Sequence, residues 1–225
     1  MKKELDYFLI DGKYYGGDQD TIPDKLLQFA GCAAITACDL CIYLDLYCKT
    51  RLYPYNLQEI SETEYVKFAS DMMKRCITPG LRGVDTLERY LRGFEKFQVK
   101  RGMHPVKLEG FSGEKDVEEA KEKIRESIDL GIPVVNLTLR HQDVKRFDDY
   151  EWHWFIFNGY EDKEEGFFVK TVSYGKYIWL DFDRLWDTGY EDKGGLILFH
   201  RTGKVLPDKI KTEKREKKNA DNTCL

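Results

Sequence analysis

An α+β fold is expected from three features. Helix-compatible segments dominate residues 32–130, strand-like segments dominate 132–201, and one early helix is apolar on nearly every face. The expected architecture is a helical N-terminal lobe, about residues 15–130, whose central helix carries a cysteine. It packs against a mostly antiparallel β-sheet lobe, about residues 131–206, and a charged tail covers 207–225. With 225 residues, 42% of them hydrophobic and 14% aromatic, the chain is long enough to bury a sizeable core.

Residues 4–15 alternate weakly in polarity and meet a turn signal at Asp11-Gly12. Tyr14-Tyr15-Gly16-Gly17-Asp18-Gln19 reads as an aromatic, glycine-rich loop near the first helix, and Pro23-Asp24 as a connector into Gly31-Cys32. That first helix, about 32–47, carries Ala33, Ala34, Ile35, Ala37, Leu40, Cys41, Ile42 and Leu44, which makes it a central, buried element. Ser61 with Glu64 marks the start of a second helix over 61–75, striped by Tyr65, Phe68, Ala69 and Met72. A third is expected over 85–97 and a fourth, capped by Asp116, over 117–130. Gly131 ends it, and 132–139 follows as a buried strand. After a charged loop come strand-like segments at 152–160, 166–172, 176–181 and 195–201, with a short helical turn at Asp183–Trp186.

The charge balance, 36 basic against 40 acidic residues, gives no support to nucleic acid as a partner. No apolar stretch approaches the ~18 residues of a membrane span. The acidic N-terminal stretch lacks the apolar run of a secretory signal, so a cytoplasmic location without membrane attachment is expected. Cys38-Cys41 has C-x-x-C spacing, but no second Cys/His pair at zinc spacing follows. Neither a metal nor a cofactor is expected, and these thiols read as buried and reduced.

Cys32 follows Gly31 at the start of the first helix, where unpaired N–H groups and the helix dipole favour thiolate. Of four histidines, His104, His141 and His200 lie in polar surroundings. His153 instead opens the apolar segment Trp152-His153-Trp154-Phe155-Ile156-Phe157, where one ring nitrogen can serve a thiol and the other an orienting partner. Asp39, two helical turns after Cys32, reads as a buried hydrogen-bonding residue rather than a catalyst.

Cys32-Ala33-Ala34-Ile35-Thr36-Ala37 and His153-Trp154-Phe155-Ile156-Phe157-Asn158-Gly159-Tyr160 resemble the papain-like cysteine peptidase fold, and within it the bacterial C39-like peptidases. The resemblance covers about residues 15–50 and 130–200. It implies Cys32 as nucleophile, His153 as base, and a glutamine ahead of the cysteine as oxyanion donor. Gln19, carried by a Gly-Gly loop, is preferred over Gln28 for that role. The family's orienting Asp or Asn falls at Val172 here, which leaves Ser173 or Thr171 to hold the imidazole, with Asn158 and Asp162 more distant alternatives. Ala33-Ala34 also stands where Gly-Pro is common in the family. The resemblance implies a peptide or amide substrate. Two other readings stay open: a catalytically impaired domain serving as a binding or regulatory module, and an acyltransferase or transglutaminase-like enzyme using the same Cys–His pair.

Overall fold

The computed structural model describes residues 1–202, so the expected charged tail lies outside the described residues. The chain begins with β1 (Lys2–Glu4) and a small hairpin of β2 (Leu9–Ile10) and β3 (Tyr14–Tyr15). The hairpin reverses at the expected Asp11-Gly12, both in the left-handed region, with φ 49° and 64°. Four helices follow: α1 (Lys25–Ala30), α2 (Cys32–Cys48), α3 (Glu62–Arg75) and α4 (Leu87–Arg101). Next come β4 (Val106–Ser112), α5 (Val117–Asp129), β5 (Val134–Thr138) and the single turn α6 (Val144–Phe147). The last part is β6 (His153–Lys163), β7 (Gly166–Ser173), β8 (Lys176–Asp181), α7 (Phe182–Trp186) and β9 (Gly194–Arg201). The mixed α+β expectation holds, with helices beside an antiparallel sheet.

The helix starts follow from side-chain chemistry. Ser61, Thr86 and Asp116 each accept a hydrogen bond from a first-turn N–H of α3, α4 and α5, at 3.3, 3.3 and 2.8 Å. Three elements depart from the sequence expectation. Lys25–Ala30 is a helix rather than a connector, because Asp24 caps it and Leu27 and Ala30 face the core. Val106–Ser112 is a strand: Val106 and the half-buried Leu108 face the cluster around α2, while Phe111, on the opposite face with the exposed Lys107 and Glu109, packs with α5, so neither face shows a full alternation in the sequence. Val144–Phe147 forms one helical turn inside the expected charged loop, with Phe147 as its buried anchor.

The sheet order is β4-β9-β5-β6-β7-β8, with every pairing antiparallel. β6 has the length to hold two partners along one edge, β5 through His153–Phe157 and β1 through Gly159–Glu161. Alternation along β6 divides the core into two faces. Trp154 and Ile156 pack with α1–α4, whereas Phe155 and Phe157 pack with Ala120, Ile124 and Ile128 of α5 and Phe182 of α7. α2 runs through the first cluster, buried without a break from Ala33 to Asp45, as its all-round apolarity predicts. Among the described residues no helix is long and apolar enough to cross a membrane.

Candidate active site

Cys32 owes its position to the junction of α1 and α2. Gly31 joins them in helical geometry, donating its N–H to Leu27 O at 2.9 Å and accepting from Ile35 at 2.9 Å. A β-carbon at Gly31 would lie 2.3 Å from the Leu27 carbonyl oxygen, so only glycine lets the two helices meet this closely. Cys32 is then the first residue of α2 and is half-buried. The backbone N–H groups of Trp154, Ala33 and Cys32 itself act to lower its pKa, but burial outweighs them and pushes the thiol up. The expectation of a favoured thiolate is therefore reversed: desolvation beats the helix start.

His153 opens β6 directly after Trp152, which takes a left-handed φ of 49°. Its Nε2 is 2.6 Å from Ser173 Oγ, at the end of the neighbouring β7. The ring stacks on Tyr174, with centroids 4.7 Å apart and planes 6° from parallel. Nδ1 has only a long 3.5 Å contact with the Tyr174 hydroxyl, which donates to Asp149 O at 3.0 Å. Burial lowers the imidazole pKa from 6.5 to about 3, so it rests neutral. Of the orienting candidates, Ser173 touches the ring. Thr171 is fully buried and its hydroxyl has no partner among the described residues, Asn158 donates to the Tyr15 hydroxyl, and Asp162 pairs with Arg125 at 2.7 Å.

Cys32, His153, Gln19 and Ser173 line one cavity of about 10 Å³, together with Gly17, Asp39 and Trp154. That volume is about the size of a single water. The partners of the His153 ring are Ser173 and Tyr174, so thiol and imidazole share the cavity without a hydrogen bond between them. Gln19 enters on the turn that Asp18 caps, and its Nε2 donates to Gln28 O at 3.0 Å, while its buried Oε1 has no hydrogen-bond partner among the described residues. Gln28 points elsewhere: its amide donates to Asp20 O at 3.1 Å and its Oε1 accepts from Lys25. Asp39 is the buried acceptor expected, taking hydrogen bonds from Tyr65, Tyr7 and Gly17.

No protein-family model matches the chain, and no curated protein matches it either.

The three other histidines lie outside the cavity with partners of their own. His104 meets Glu95 at 3.1 Å, His200 meets Glu109 at 3.0 Å, and His141 is buried between Arg184 O and the Asp143 N–H. Cys38 and Cys41 are buried free thiols, and burial pushes both pKa values up. Among the described residues no cluster of three His, Cys, Asp or Glu side chains is placed to hold a metal.

A groove beside Cys32 includes Trp152 and Trp154, which the sequence already places near the wall of a cleft between the helical and strand parts; the remaining wall residues were missed. The groove has a volume of about 330 Å³ and is walled by Phe29, Leu81, Val84, Leu137, Trp152 and Trp154. Phe29 and Leu81, 85% and 104% exposed, form its open rim. The available signal was local: two large apolar residues beside glycine or proline, Phe29 near Gly31 and Leu81 after Pro79-Gly80.

Proposed function

We propose that the chain is a cysteine hydrolase of the papain-like type, acting on a peptide or related amide through Cys32 and His153. One observation carries the reading: residues as distant in sequence as Gln19, Cys32, His153 and Ser173 line a single cavity. The chemistry follows from their roles. The apolar groove beside Cys32 receives a side chain of the substrate and brings the carbonyl to the thiol. With the Nε2 proton held by Ser173, Nδ1 of the neutral imidazole takes the thiol proton as Sγ attacks the carbonyl carbon. One Gln19 amide proton is engaged by Gln28 O. The other, with the Cys32 backbone N–H, holds the developing oxyanion. The imidazolium then protonates the leaving amine, and water activated by His153 cleaves the thioester. Because both groups rest neutral, His153 works as a general base and no preformed ion pair is required.

A second reading keeps the fold as a binding module without turnover. It is favoured by the imidazole pKa of about 3 and by the closure of the Cys32–His153 cavity to about 10 Å³. Fluorogenic peptide amides carrying aromatic or aliphatic side chains separate the two. Hydrolysis that disappears in a folded Cys32→Ala variant is the expected result. Binding of the same peptides, equally tight in Cys32→Ala and without product, favours the module. An added amine that diverts the acyl group from water would identify an acyltransferase.

A further inference from the structure

We propose that Asp39 is a positioning residue that locks the Gln19 loop onto the cysteine helix and so completes the oxyanion site. The inference rests on the assignment of Cys32 as nucleophile and Gln19 as oxyanion donor. Asp39 is 3% exposed on α2. Four contacts converge on its carboxylate: the Gly17 N–H at 3.1 Å from each oxygen, the Tyr65 hydroxyl at 2.7 Å on Oδ1, and the Tyr7 hydroxyl at 3.2 Å on Oδ2. Among the described residues no cation contacts it, and its donors there are all neutral. A buried acid held this way is costly on a helix whose buried residues are mostly Ala, Cys, Ile and Leu; the second buried acid of the helix, Asp45, accepts from the Leu52 and Tyr53 N–H groups instead.

What the carboxylate holds is the loop that leads to Gln19. Its Gly17 contact fixes one side of the Gly16–Gly17 loop. On the other side Gly17 O accepts from the Gly175 N–H at 3.1 Å, and the Tyr15 N–H donates to Gly175 O at 2.8 Å. Gly175 closes the turn that begins with Ser173 and Tyr174, the residues that hold the His153 ring. The loop is thus clamped between the element carrying the thiol and the turn holding the base. The fit excludes side chains: a β-carbon at Gly17 would lie 2.0 Å from the Tyr65 hydroxyl, and one at Gly16 would lie 2.6 Å from Asp39 Oδ2. Gln19 follows two residues later, at the cavity it shares with Cys32 and Asp39.

The test compares two reactions of Cys32. N-acetyl-phenylalaninal adds to the thiol to give a thiohemiacetal: the S–C bond forms as the thiol proton passes to His153, and the carbonyl π pair moves onto the oxygen, which the oxyanion site holds until His153 returns the proton. Iodoacetamide alkylates the same thiol with loss of iodide and needs no oxyanion donor. Both are measured by mass spectrometry or NMR on wild type, Gln19→Ala, Asp39→Ala, Tyr65→Phe and the Gln19→Ala/Asp39→Ala pair, each checked for folding. The expected result is that Gln19→Ala weakens the aldehyde adduct by ~10²-fold, the scale of one oxyanion donor. Asp39→Ala does much the same, the double variant is no worse than Gln19→Ala alone, and alkylation rates stay within about twofold. Tyr65→Phe gives a smaller loss in the same direction, and it carries the test if Asp39→Ala fails to fold. The proposal is overturned if Gln19→Ala weakens the adduct but Asp39→Ala and Tyr65→Phe do not, or if the two losses simply add. If Gln19→Ala has no effect, the oxyanion assignment itself fails and the proposal falls with it; absence of any wild-type adduct does the same to Cys32.

Discussion

At the scale of single residues, burial sets the resting charges of the site. The Cys32 thiol is pushed up and the His153 imidazole down, so both are neutral near pH 7. Iodoacetamide labelling of Cys32 is therefore expected to climb with pH towards and beyond the ordinary thiol range; a plateau already reached at pH 6 would contradict it. The same burial couples His153 to stability. Its folded pKa of about 3 lies below the ordinary 6.5, so the unfolded chain binds the proton first. Stability from this residue is fully present above pH 6.5 and is lost as pH falls towards about 3. His153→Gln removes that loss, and its urea unfolding free energy should fall less than wild type's between pH 7 and pH 4, by on the order of 3 kcal/mol. Asp39 acts with the opposite sign. Burial raises its carboxyl from 3.8 to about 6 against the hydrogen bonds from Tyr65, Gly17 and Tyr7, so its ionisation costs stability as pH rises through that range. Asp39→Asn should abolish this component, which the same titration reads.

At the scale of elements, the α1–α2 junction and the Trp154 anchor are the sensitive points. Gly31→Ala drives a β-carbon to within 2.3 Å of backbone at Leu27. It is expected to cost about 1–3 kcal/mol in urea unfolding and to alter Cys32 labelling, because the junction must open. Wild-type stability and labelling would show that the junction tolerates a side chain. Trp154 is 1% exposed, stacks on Tyr90 at 4.7 Å and donates to Val84 O at 2.6 Å, which ties β6 to α4 and to the loop before it. Trp154→Ala is expected to cost about 3–5 kcal/mol. Most helices were legible because caps and apolar stripes coincide: Ser61 with Tyr65 and Phe68, Asp116 with Ala120 and Ile124. α1 was not, since a six-residue helix shows too few turns for a stripe and its cap, Asp24, sits where Pro23 reads as a connector. Similarly, β4 turns its two buried residues, Val106 and Phe111, to opposite faces, so no period-two stripe marks it.

For the whole molecule, the sheet separates the chemistry from much of the stabilising core. Ile124 of α5 is fully buried on the face opposite the Cys32 helix. Ile124→Ala should lower unfolding stability by about 2–5 kcal/mol and leave Cys32 labelling unchanged in the folded protein; altered labelling would mean the two faces are coupled. The α+β class and the Cys32 and His153 candidates were legible from local pattern. The sheet order was not: β9 lies between β4 and β5, a pairing of distant segments that no local window encodes. The choice of Ser173 over Thr171 was hidden for the same reason. It depends on how β7 ends beside the start of β6, with a register shift between Phe157 and Gly159. The groove at Phe29 and Leu81 likewise needs α1, the loop before α4 and β6 to be assembled.

The most direct measurement is acylation of Cys32 by p-nitrophenyl acetate at pH 7, in wild type and His153→Ala, with the acetyl group mapped over all six cysteines. The expected result is an acetyl group on Cys32 and a rate that falls ~10²–10⁴-fold without the imidazole, the range of general-base assistance. Equal rates in the two proteins, or an acetyl group spread over the other thiols, would contradict a nucleophilic centre built from Cys32 and His153.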